Sequence, residues 1–181
     1  RSGKAILGGE SLPNLSFLAG MQAPEPFRQK RVVAPPPDLE GDGIYLSFAV
    51  PDGDNLDFIG GRMHEMWRDK TRGSVPIAWS INPLLAVLAP PLLDYYYFHA
   101  SGADSFVAAP SGAGYIYPGF ASRGDLIQYL ARAKSAMASA DMDTVWLLNS
   151  FRAYEIPYSE ETLSAYATAL TPRGILLDYA D

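Results

Sequence analysis

The sequence predicts an α/β domain built from repeated βα units around a parallel sheet. Short apolar runs alternate with segments of helical periodicity, several helices have recognisable caps, and polar residues follow the apolar runs. Strands that alternate with helices form parallel sheets with right-handed crossovers. About four to five units are visible in 181 residues, whereas an eight-unit barrel needs about 250 residues. We therefore expect an incomplete or irregular TIM-barrel-like domain, a barrel with parts elsewhere in the parent protein, or a small open sheet.

The chain divides at about residue 43. Residues 1–43 are irregular and include two proline-rich stretches, Ala23–Pro26 and Ala34–Pro37, which favour extended, stiff backbone. This part is expected to be a linker or a strap across the domain that follows. Residues 44–181 are expected to form the βα barrel-like domain.

Five apolar runs predict the strands. They alternate little between apolar and polar residues, as expected when both faces of a parallel sheet are buried. The predicted strands are Ile44–Val50, Val75–Ser80, Ser105–Ala109, Thr144–Leu148 and Ile175–Leu177.

The first helices are predicted from apolar residues at helical spacing. One follows Asp52–Asn55 and is weakened by Gly60-Gly61, because each glycine costs about 1 kcal/mol relative to alanine. The next begins at Asn82-Pro83, with asparagine as cap and proline at the first position. Pro90-Pro91 divides this segment into two short helices.

The last two helices have clear caps. Ser122 followed by Asp125 resembles a capping box, and Ser159 caps a helix that Pro172 and Gly174 end. The helix after Ser122 presents one apolar face, formed by Leu126, Leu130, Ala133 and Met137.

Composition excludes several classes of function. The net charge is −6, and no Lys/Arg cluster follows a helix or strand, so no nucleic-acid partner is expected. No apolar run approaches the roughly 18–20 residues of a membrane span. The absence of cysteine excludes disulfides, thiolate catalysis and cysteine-bound zinc.

Polar and aromatic residues gather where the predicted strands end. Ligands of parallel α/β folds bind beyond the carboxyl ends of the strands, so these residues form the candidate site. They are Asp52, Asp54, Asn55, Ser80, Asn82, Ser111–Tyr117, Asn149, Ser150, Arg152, Asp178 and Tyr179.

Asp52-Gly53-Asp54-Asn55 allows three interpretations. Two carboxylates separated by one glycine can bind a hard divalent cation, or one can act as a general base or nucleophile. The residue pattern alone favours a third, a tight turn in which Asp54 caps the next helix with Asp57 as its partner.

The segment Ser111–Pro118 contains two glycines and two tyrosines. Gly112 and Gly114 permit positive φ and close approach to a ligand, while Tyr115 and Tyr117 can stack on a sugar face. It is neither a dinucleotide fingerprint nor a P-loop, and Ser111 does not lie in a nucleophile elbow. A purely structural loop is at least as well supported by the pattern.

Two further carboxylates lie on the predicted site face. Glu155 falls in the loop after the fourth strand, and Asp178 ends the fifth strand. His64 and His99, the two histidines of the chain, fall within predicted helices. They are interpreted as structural, which disfavours a catalytic triad or a multi-histidine metal site.

The order of these motifs resembles a known family. Gly112–Pro118 reads as G-x-G-Y-x-Y-P, Tyr45–Asn55 resembles the strand and DGDN segment upstream, and Trp79–Pro83 with Tyr95–Tyr97 resembles the stretch between them. The chain is thus similar, from about Ile44 to Asp178, to the C-terminal, motif-bearing domain of the GxGYxYP family of putative glycoside hydrolases.

The resemblance implies a barrel-like domain of bacterial, often secreted or extracytoplasmic, carbohydrate-related proteins. It carries over no established catalytic residues. The chain departs from the family's pattern in two ways: Val50-Pro51 precedes the DGDN motif, and the chain is short.

Three functions remain open. The first is a hydrolase acting on a glycan, with Asp52 and Asp54 as the first catalytic candidates, paired with Asp178 or Glu155. Such an enzyme needs two carboxyl groups about 5–5.5 Å or roughly 6.5–9.5 Å apart. The second is a non-catalytic glycan-binding or structural domain, and the third is a deacetylase-like metal enzyme.

Each hypothesis implies its own ligands and partners. No cofactor is expected, although a divalent cation at Asp52 and Asp54 stays open. The partners expected are a carbohydrate and the remaining domains of the parent protein. The substrate-binding candidates are Asn55, Asn82, Ser111, Gly112, Gly114, Tyr115, Tyr117 and Asn149.

Overall fold

The computed structural model describes residues 4–9, 13–23, 26–30, 41–53, 55–148, 150–151, 154–155 and 158–178. Within these ranges, five parallel strands form a curled half-barrel sheet with helices between them, which confirms the predicted incomplete barrel. In order across the sheet they are β1 (Ala49–Val50), β2 (Ile77–Ile81), β3 (Asp104–Ala108), β4 (Thr144–Leu147) and β7 (Gly174–Leu177).

An additional hairpin interrupts the βα pattern between the fourth and fifth strands of the sheet. Two short strands that the sequence analysis missed, β5 (Ser150–Phe151) and β6 (Tyr154–Glu155), form an antiparallel hairpin between β4 and β7. Because all five sheet strands are parallel, their carboxyl ends lie along one edge, the carboxyl edge. The helices are α1 (Leu15–Ala19), α2 (Leu56–Gly60), α3 (Arg62–Trp67), α4 (Leu85–Leu88), α5 (Pro90–His99), α6 (Arg123–Ser139) and α7 (Glu160–Leu170).

The capped helices form as predicted. The Ser122 hydroxyl accepts from the Asp125 amide at 3.2 Å and donates to the Asp125 carboxylate at 2.7 Å, closing the capping box of α6. Ser159 likewise accepts from the Thr162 amide at 3.1 Å at the start of α7. The predicted apolar face of α6 is buried. None of the helices in the described ranges is long and apolar enough to cross a membrane.

The prediction for the first strand is wrong at its amino end. Only Ala49–Val50 pairs with β2, and the residues before it are exposed: Ile44 by 90%, Leu46 by 79% and Phe48 by 56%. The physical reason is position, because β1 lies at one end of the sheet and, among the described residues, pairs with a strand on one side only. An unalternating apolar run predicts burial on both faces, and an edge strand does not provide it.

The core contains an aromatic cluster between the sheet and α3 and α5. Trp67 packs edge-to-face on Trp79 and Tyr96, with ring centroids 5.2 and 5.0 Å away. Tyr97 stacks on Phe106 at 4.7 Å. Aromatic pairs in these arrangements contribute about 0.5–1.5 kcal/mol beyond the area they bury.

Part of the N-terminal region packs on β3. The Gln29 side chain accepts from the Phe106 amide at 2.8 Å and donates to the Phe106 carbonyl at 3.3 Å. β3 pairs with β4 only at Ala108 and Val145. The side-chain amide group of Gln29 therefore makes the hydrogen bonds to Phe106 that a neighbouring strand would otherwise make. The Gln29 backbone amide also donates to the Asp141 carboxylate at 2.8 Å.

A buried carboxylate organises the opposite edge of the sheet. Asp104, which is 2% exposed, accepts from the Trp79 indole N–H at 2.8 Å and from the Ser101 amide at 2.8 Å. It also pairs with Arg72, whose guanidinium lies 4.1 Å from the Trp67 ring centroid. Asp104 is the first residue of β3, so it lies at the edge opposite the carboxyl ends of the strands.

We predict that Asp104→Ala destabilises the protein by about 3–5 kcal/mol, because it leaves Arg72 and two buried donors without their acceptor. Urea denaturation followed by circular dichroism measures the loss. Glu65→Ala is the control, since the Arg62–Glu65 pair is 70% and 69% exposed and its removal should change stability by less than about 1 kcal/mol. Equal losses in the two variants would contradict this account.

Candidate functional site

The loop after β1 is locked against the end of β2. The Gly53 amide donates to the buried Ser80 hydroxyl at 2.9 Å, and the Gly53 carbonyl accepts from the Asn82 amide at 2.9 Å. A Cβ at Gly53 would lie 1.8 Å from the Ser80 carbonyl oxygen, so only glycine permits this approach. Asp52 is consequently held at φ 79° with its side chain in solvent-exposed surroundings.

The cap of α2 differs from the prediction. Asn55, not Asp54, is the N-cap, and its side-chain oxygen accepts from the amides of Asp57 at 2.9 Å and Phe58 at 3.4 Å. Asn55 has extended backbone and lies one residue before the first helical residue, which is the geometry a cap requires. The side-chain oxygen of Asn55 therefore caps α2. The sequence analysis had listed Asn55 as a candidate for substrate binding.

Asn82 lies fully buried at the end of β2. Its side-chain oxygen accepts from the Leu84 amide at 3.0 Å, which caps the turn before α4 and shifts the helix start two residues beyond the predicted Pro83. Its Nδ2 group has no hydrogen-bond partner within the described ranges. Since Asn82 also holds Gly53, its observed contacts support the loop that carries Asp52.

Ser111 is the most constrained residue of the glycine–tyrosine loop, which we define as Ser111–Pro118. Its amide donates to the Trp146 carbonyl at 2.6 Å, and its hydroxyl accepts from the Leu148 amide at 3.1 Å and donates to the Ile116 carbonyl at 2.9 Å. Tyr166 of α7 donates to the Ser111 carbonyl at 2.9 Å. Ser111 is fully buried, so its hydroxyl holds the loop and does not face a ligand.

The two glycines of this loop also serve packing. Gly112 has φ 121° and Gly114 has φ 107°, which side chains rarely adopt. A Cβ on Gly112 would lie 2.9 Å from the Ala133 Cβ, and one on Gly114 would lie 3.0 Å from the Ile6 carbonyl oxygen. The close approach predicted for a ligand is therefore made by α6 and by the N-terminal segment.

Three aromatic side chains follow these glycines. Tyr115 and Tyr117 are half-buried and contact edge-to-face with centroids 5.6 Å apart, and Tyr117 contacts Phe120 at 6.3 Å. Phe120 is 64% exposed. The predicted tyrosines thus lie together, and they extend into an aromatic row (Tyr115, Tyr117 and Phe120) that the sequence analysis did not include.

A pocket of about 270 Å³ adjoins Tyr115. It lies between the N-terminal segment, the glycine–tyrosine loop and α6. The Tyr129 hydroxyl donates to the Gly114 carbonyl at 2.9 Å, and burial raises the pKa of Tyr129 far above its ordinary value. The lining includes the polar side chains of Lys4, Asp125, Gln128, Tyr129 and Arg132.

The sequence analysis missed these pocket residues. On α6, Asp125, Gln128, Tyr129 and Arg132 follow the spacing i, i+3, i+4, i+7, which places them along one side of a helix. That spacing is visible in the sequence. It points to a pocket only once the partner surface is known, because a polar helix stripe usually faces solvent.

Asp178 follows the last strand of the sheet, as predicted. Its amide donates to the Leu147 carbonyl at 3.0 Å. The Tyr158 hydroxyl lies 2.8 Å from the Leu147 carbonyl and 3.1 Å from the Asp178 carbonyl, so Tyr158 fastens the ends of β4 and β7 together. Asp178 is partly buried.

The predicted carboxylates are far apart along the sheet. Asp52 follows β1 and Asp178 follows β7, the two outer strands. Four strand spacings separate them, about 19 Å along the sheet at roughly 4.8 Å per strand. Only across the open centre of the curled sheet can their side chains approach each other.

Other predicted residues fall outside the described part. Asp54 and Asn149 lie there entirely, and for Glu155 only the backbone, in β6, is described. His64 and His99 lie in α3 and α5, each beside Tyr95. Within the described ranges, no group of three or more His, Cys, Asp and Glu side chains could hold a metal ion.

Comparison with known proteins identifies the family. Residues 42–181 match the family described as the GxGYxYP putative glycoside hydrolase C-terminal domain. The chain belongs to the GxGYxYP family. The glycine–tyrosine loop is the signature from which the GxGYxYP family takes its name.

One solved structure supports the same assignment. The chain is similar to a putative hydrolase from Bacteroides thetaiotaomicron VPI-5482, with a TM-score of 0.78 and 26% identity. The alignment covers 91% of this chain and 31% of the other, so this chain spans about a third of that hydrolase. No curated protein matches the chain.

We predict that Ser111→Ala destabilises the GxGYxYP domain by about 1–3 kcal/mol, because the partly buried Leu148 amide loses its acceptor. Chemical denaturation measures this loss, and Ser139→Ala, at an exposed position of α6, is the control. A serine-directed fluorophosphonate should not label Ser111. Labelling there, or a Ser111→Ala variant as stable as wild type, would contradict the structural role.

Proposed function

We propose that this chain supplies a glycan-binding surface and catalytic carboxylates to a carbohydrate-active hydrolase. The observation that carries the proposal is the aromatic row beside a polar pocket at the carboxyl edge. In parallel α/β folds this edge is where substrates bind. Membership of the GxGYxYP family supports the same class of activity.

The aromatic row suits a sugar. Aromatic rings offer a flat apolar face, and tyrosine adds a hydroxyl that can hydrogen-bond, which matches the apolar and polar faces of a pyranose ring. Phe120 is 64% exposed and continues the row outward from Tyr117. Exposed aromatic surface next to polar groups is typical of interaction sites.

Asp52 is the catalytic candidate best supported by the described geometry. It is exposed and held at φ 79°, and residues kept in such conformations cluster at functional sites. Gly53 fixes it through Ser80 and Asn82. In a glycosidase, Asp52 would act as nucleophile or general base, with Asp178 as a candidate partner across the centre of the sheet. Asp54 and Glu155 remain candidates from the sequence.

A second candidate function is non-catalytic glycan binding. The specific observation in its favour is that Asp52 and Asp178 follow the two outer strands, whereas the aromatic row lies in the β3 unit and the pocket is lined by that unit and the N-terminal segment. Binding therefore needs neither outer strand, and two-carboxylate chemistry needs both edges of the sheet.

Hydrolysis is tested by measuring reducing-end release from a panel of plant, fungal and animal oligosaccharides. We expect Asp52→Asn to lower kcat by at least about 100-fold, the usual minimum for a general acid or base. Asp69→Asn is the control, because Asp69 lies in an exposed loop that precedes β2. Binding without hydrolysis in the wild-type chain would favour the second function, and equal rates in both variants would exclude Asp52.

Binding is tested separately by affinity electrophoresis in gels that contain the same glycans. We expect Tyr117→Ala to weaken binding about tenfold, corresponding to about 1.5 kcal/mol of stacking. Phe98→Ala is the control because Phe98 is 67% exposed on α5 and lies outside the aromatic row. Absence of binding to every glycan would overturn both proposed functions.

A further inference from the structure

The pocket beside Tyr115 has a charge that contrasts with the rest of the protein. The chain carries a net charge of −6, yet two cationic side chains, Lys4 and Arg132, line the pocket together with one carboxylate, Asp125. Within the described ranges, neither cation forms an ion pair. The ion pairs found there are Arg28–Asp141, Arg62–Glu65, Arg72–Asp104 and Arg123–Glu161.

The single carboxylate of the pocket is already engaged. Asp125 accepts a hydrogen bond from the Ser122 hydroxyl at 2.7 Å and its amide donates back to that hydroxyl, so it belongs to the capping box of α6. Lys4 and Arg132 outnumber this carboxylate, so the three charged side chains of the lining carry a net charge of +1. Local positive potential in an acidic protein attracts anionic ligands.

The rest of the pocket favours a sugar over a simple anion. Tyr115 offers a ring face, and Gln128 offers both a donor and an acceptor. The Tyr129–Gly114 hydrogen bond fixes one wall. Arg132 carries a planar guanidinium, which matches a carboxylate through two parallel hydrogen bonds.

We propose that this pocket binds an acidic sugar, a uronic acid residue of a glycan. Arg132 and Lys4 pair with its carboxylate, Gln128 hydrogen-bonds its hydroxyls, and Tyr115 packs on its ring. The proposal rests on the proposed glycan-binding function and specifies its substrate class as anionic.

The test compares ligands that differ only in charge. The probes are hexagalacturonate and a hyaluronan hexasaccharide, each also as its neutral methyl ester, with affinity measured by isothermal titration calorimetry. We expect at least one acid form to bind about fivefold more tightly than its ester, as for a bidentate ion pair at the upper end of the exposed range. Added salt should reduce this preference.

Substitutions test whether the pocket residues cause the preference for the acid over the ester. Arg132→Ala and Lys4→Ala should each reduce it, while Lys134→Ala should leave it unchanged. Lys134 is an exposed cation of the same helix, about 200° around it from Arg132, and it does not line the pocket. Alanine favours helix at positions 132 and 134 of α6, so circular dichroism should show that the fold of these two variants is intact.

Several results would overturn the inference. Equal affinity for acid and ester, or equal effects of Arg132→Ala and Lys134→Ala, would show that the pocket does not distinguish the charged ligand from the neutral one. Displacement of the hexasaccharides by an equal concentration of acetate would show a simple anion site. If the esters bind as tightly as the acids and Tyr117→Ala weakens both, the proposed function stands while this inference fails. If no glycan binds, both fail.

Discussion

The seam between β3 and β4 depends on one buried hydroxyl. The two strands pair at Ala108 and Val145, and beyond that point Ser111 continues the connection through the Trp146 carbonyl and the Leu148 amide. Tyr166 adds α7 to the same node, and burial raises the pKa of its hydroxyl so that it stays a donor. At the other end of the seam, the Gln29 side chain fills the gap. The middle of the half-barrel is therefore closed by side chains where backbone pairing is sparse.

This constraint gives the GxGYxYP signature a physical meaning. Ser111 fixes where the loop begins, and the glycines let it pass close to α6 and to the N-terminal segment, since Tyr115 donates its amide to the Ile6 carbonyl at 2.6 Å. The Gly8 carbonyl, two residues further on, accepts from the Leu56 amide at 3.0 Å. The N-terminal segment thus links the loops that follow β1 and β3. The serine and glycines shape the edge, and of the tyrosines that follow them, Tyr115 lines the pocket and contacts Tyr117.

Sequence patterns predicted the interior of the fold better than its edge. The Ser122 and Ser159 caps and the buried face of α6 were confirmed, because capping and helical periodicity are local properties. The strand prediction for Ile44–Phe48 was wrong, because burial of β1 depends on a neighbour that local sequence does not specify. Aspartate and asparagine are both favoured N-cap residues, so residue type alone does not distinguish Asp54 from Asn55. The cap is Asn55, in the loop that Gly53 positions. The pocket was invisible for a similar reason: Gln128 and Arg132 acquire a partner surface only when the glycine–tyrosine loop folds over α6.

The residues proposed for binding and those proposed for catalysis lie in different parts of this half-barrel. The aromatic row and the pocket are built from the loop after β3 and from α6, which lie in the middle of the sheet and have neighbours on both sides. Asp52 and Asp178 instead follow the outer strands, and next to β1 the apolar side chains of Ile44 and Leu46 are exposed. A glycan held on the central unit would reach both carboxylates only if it crossed the centre of the sheet. This separation of the proposed binding residues from the proposed catalytic residues allows the two proposed functions to be measured independently.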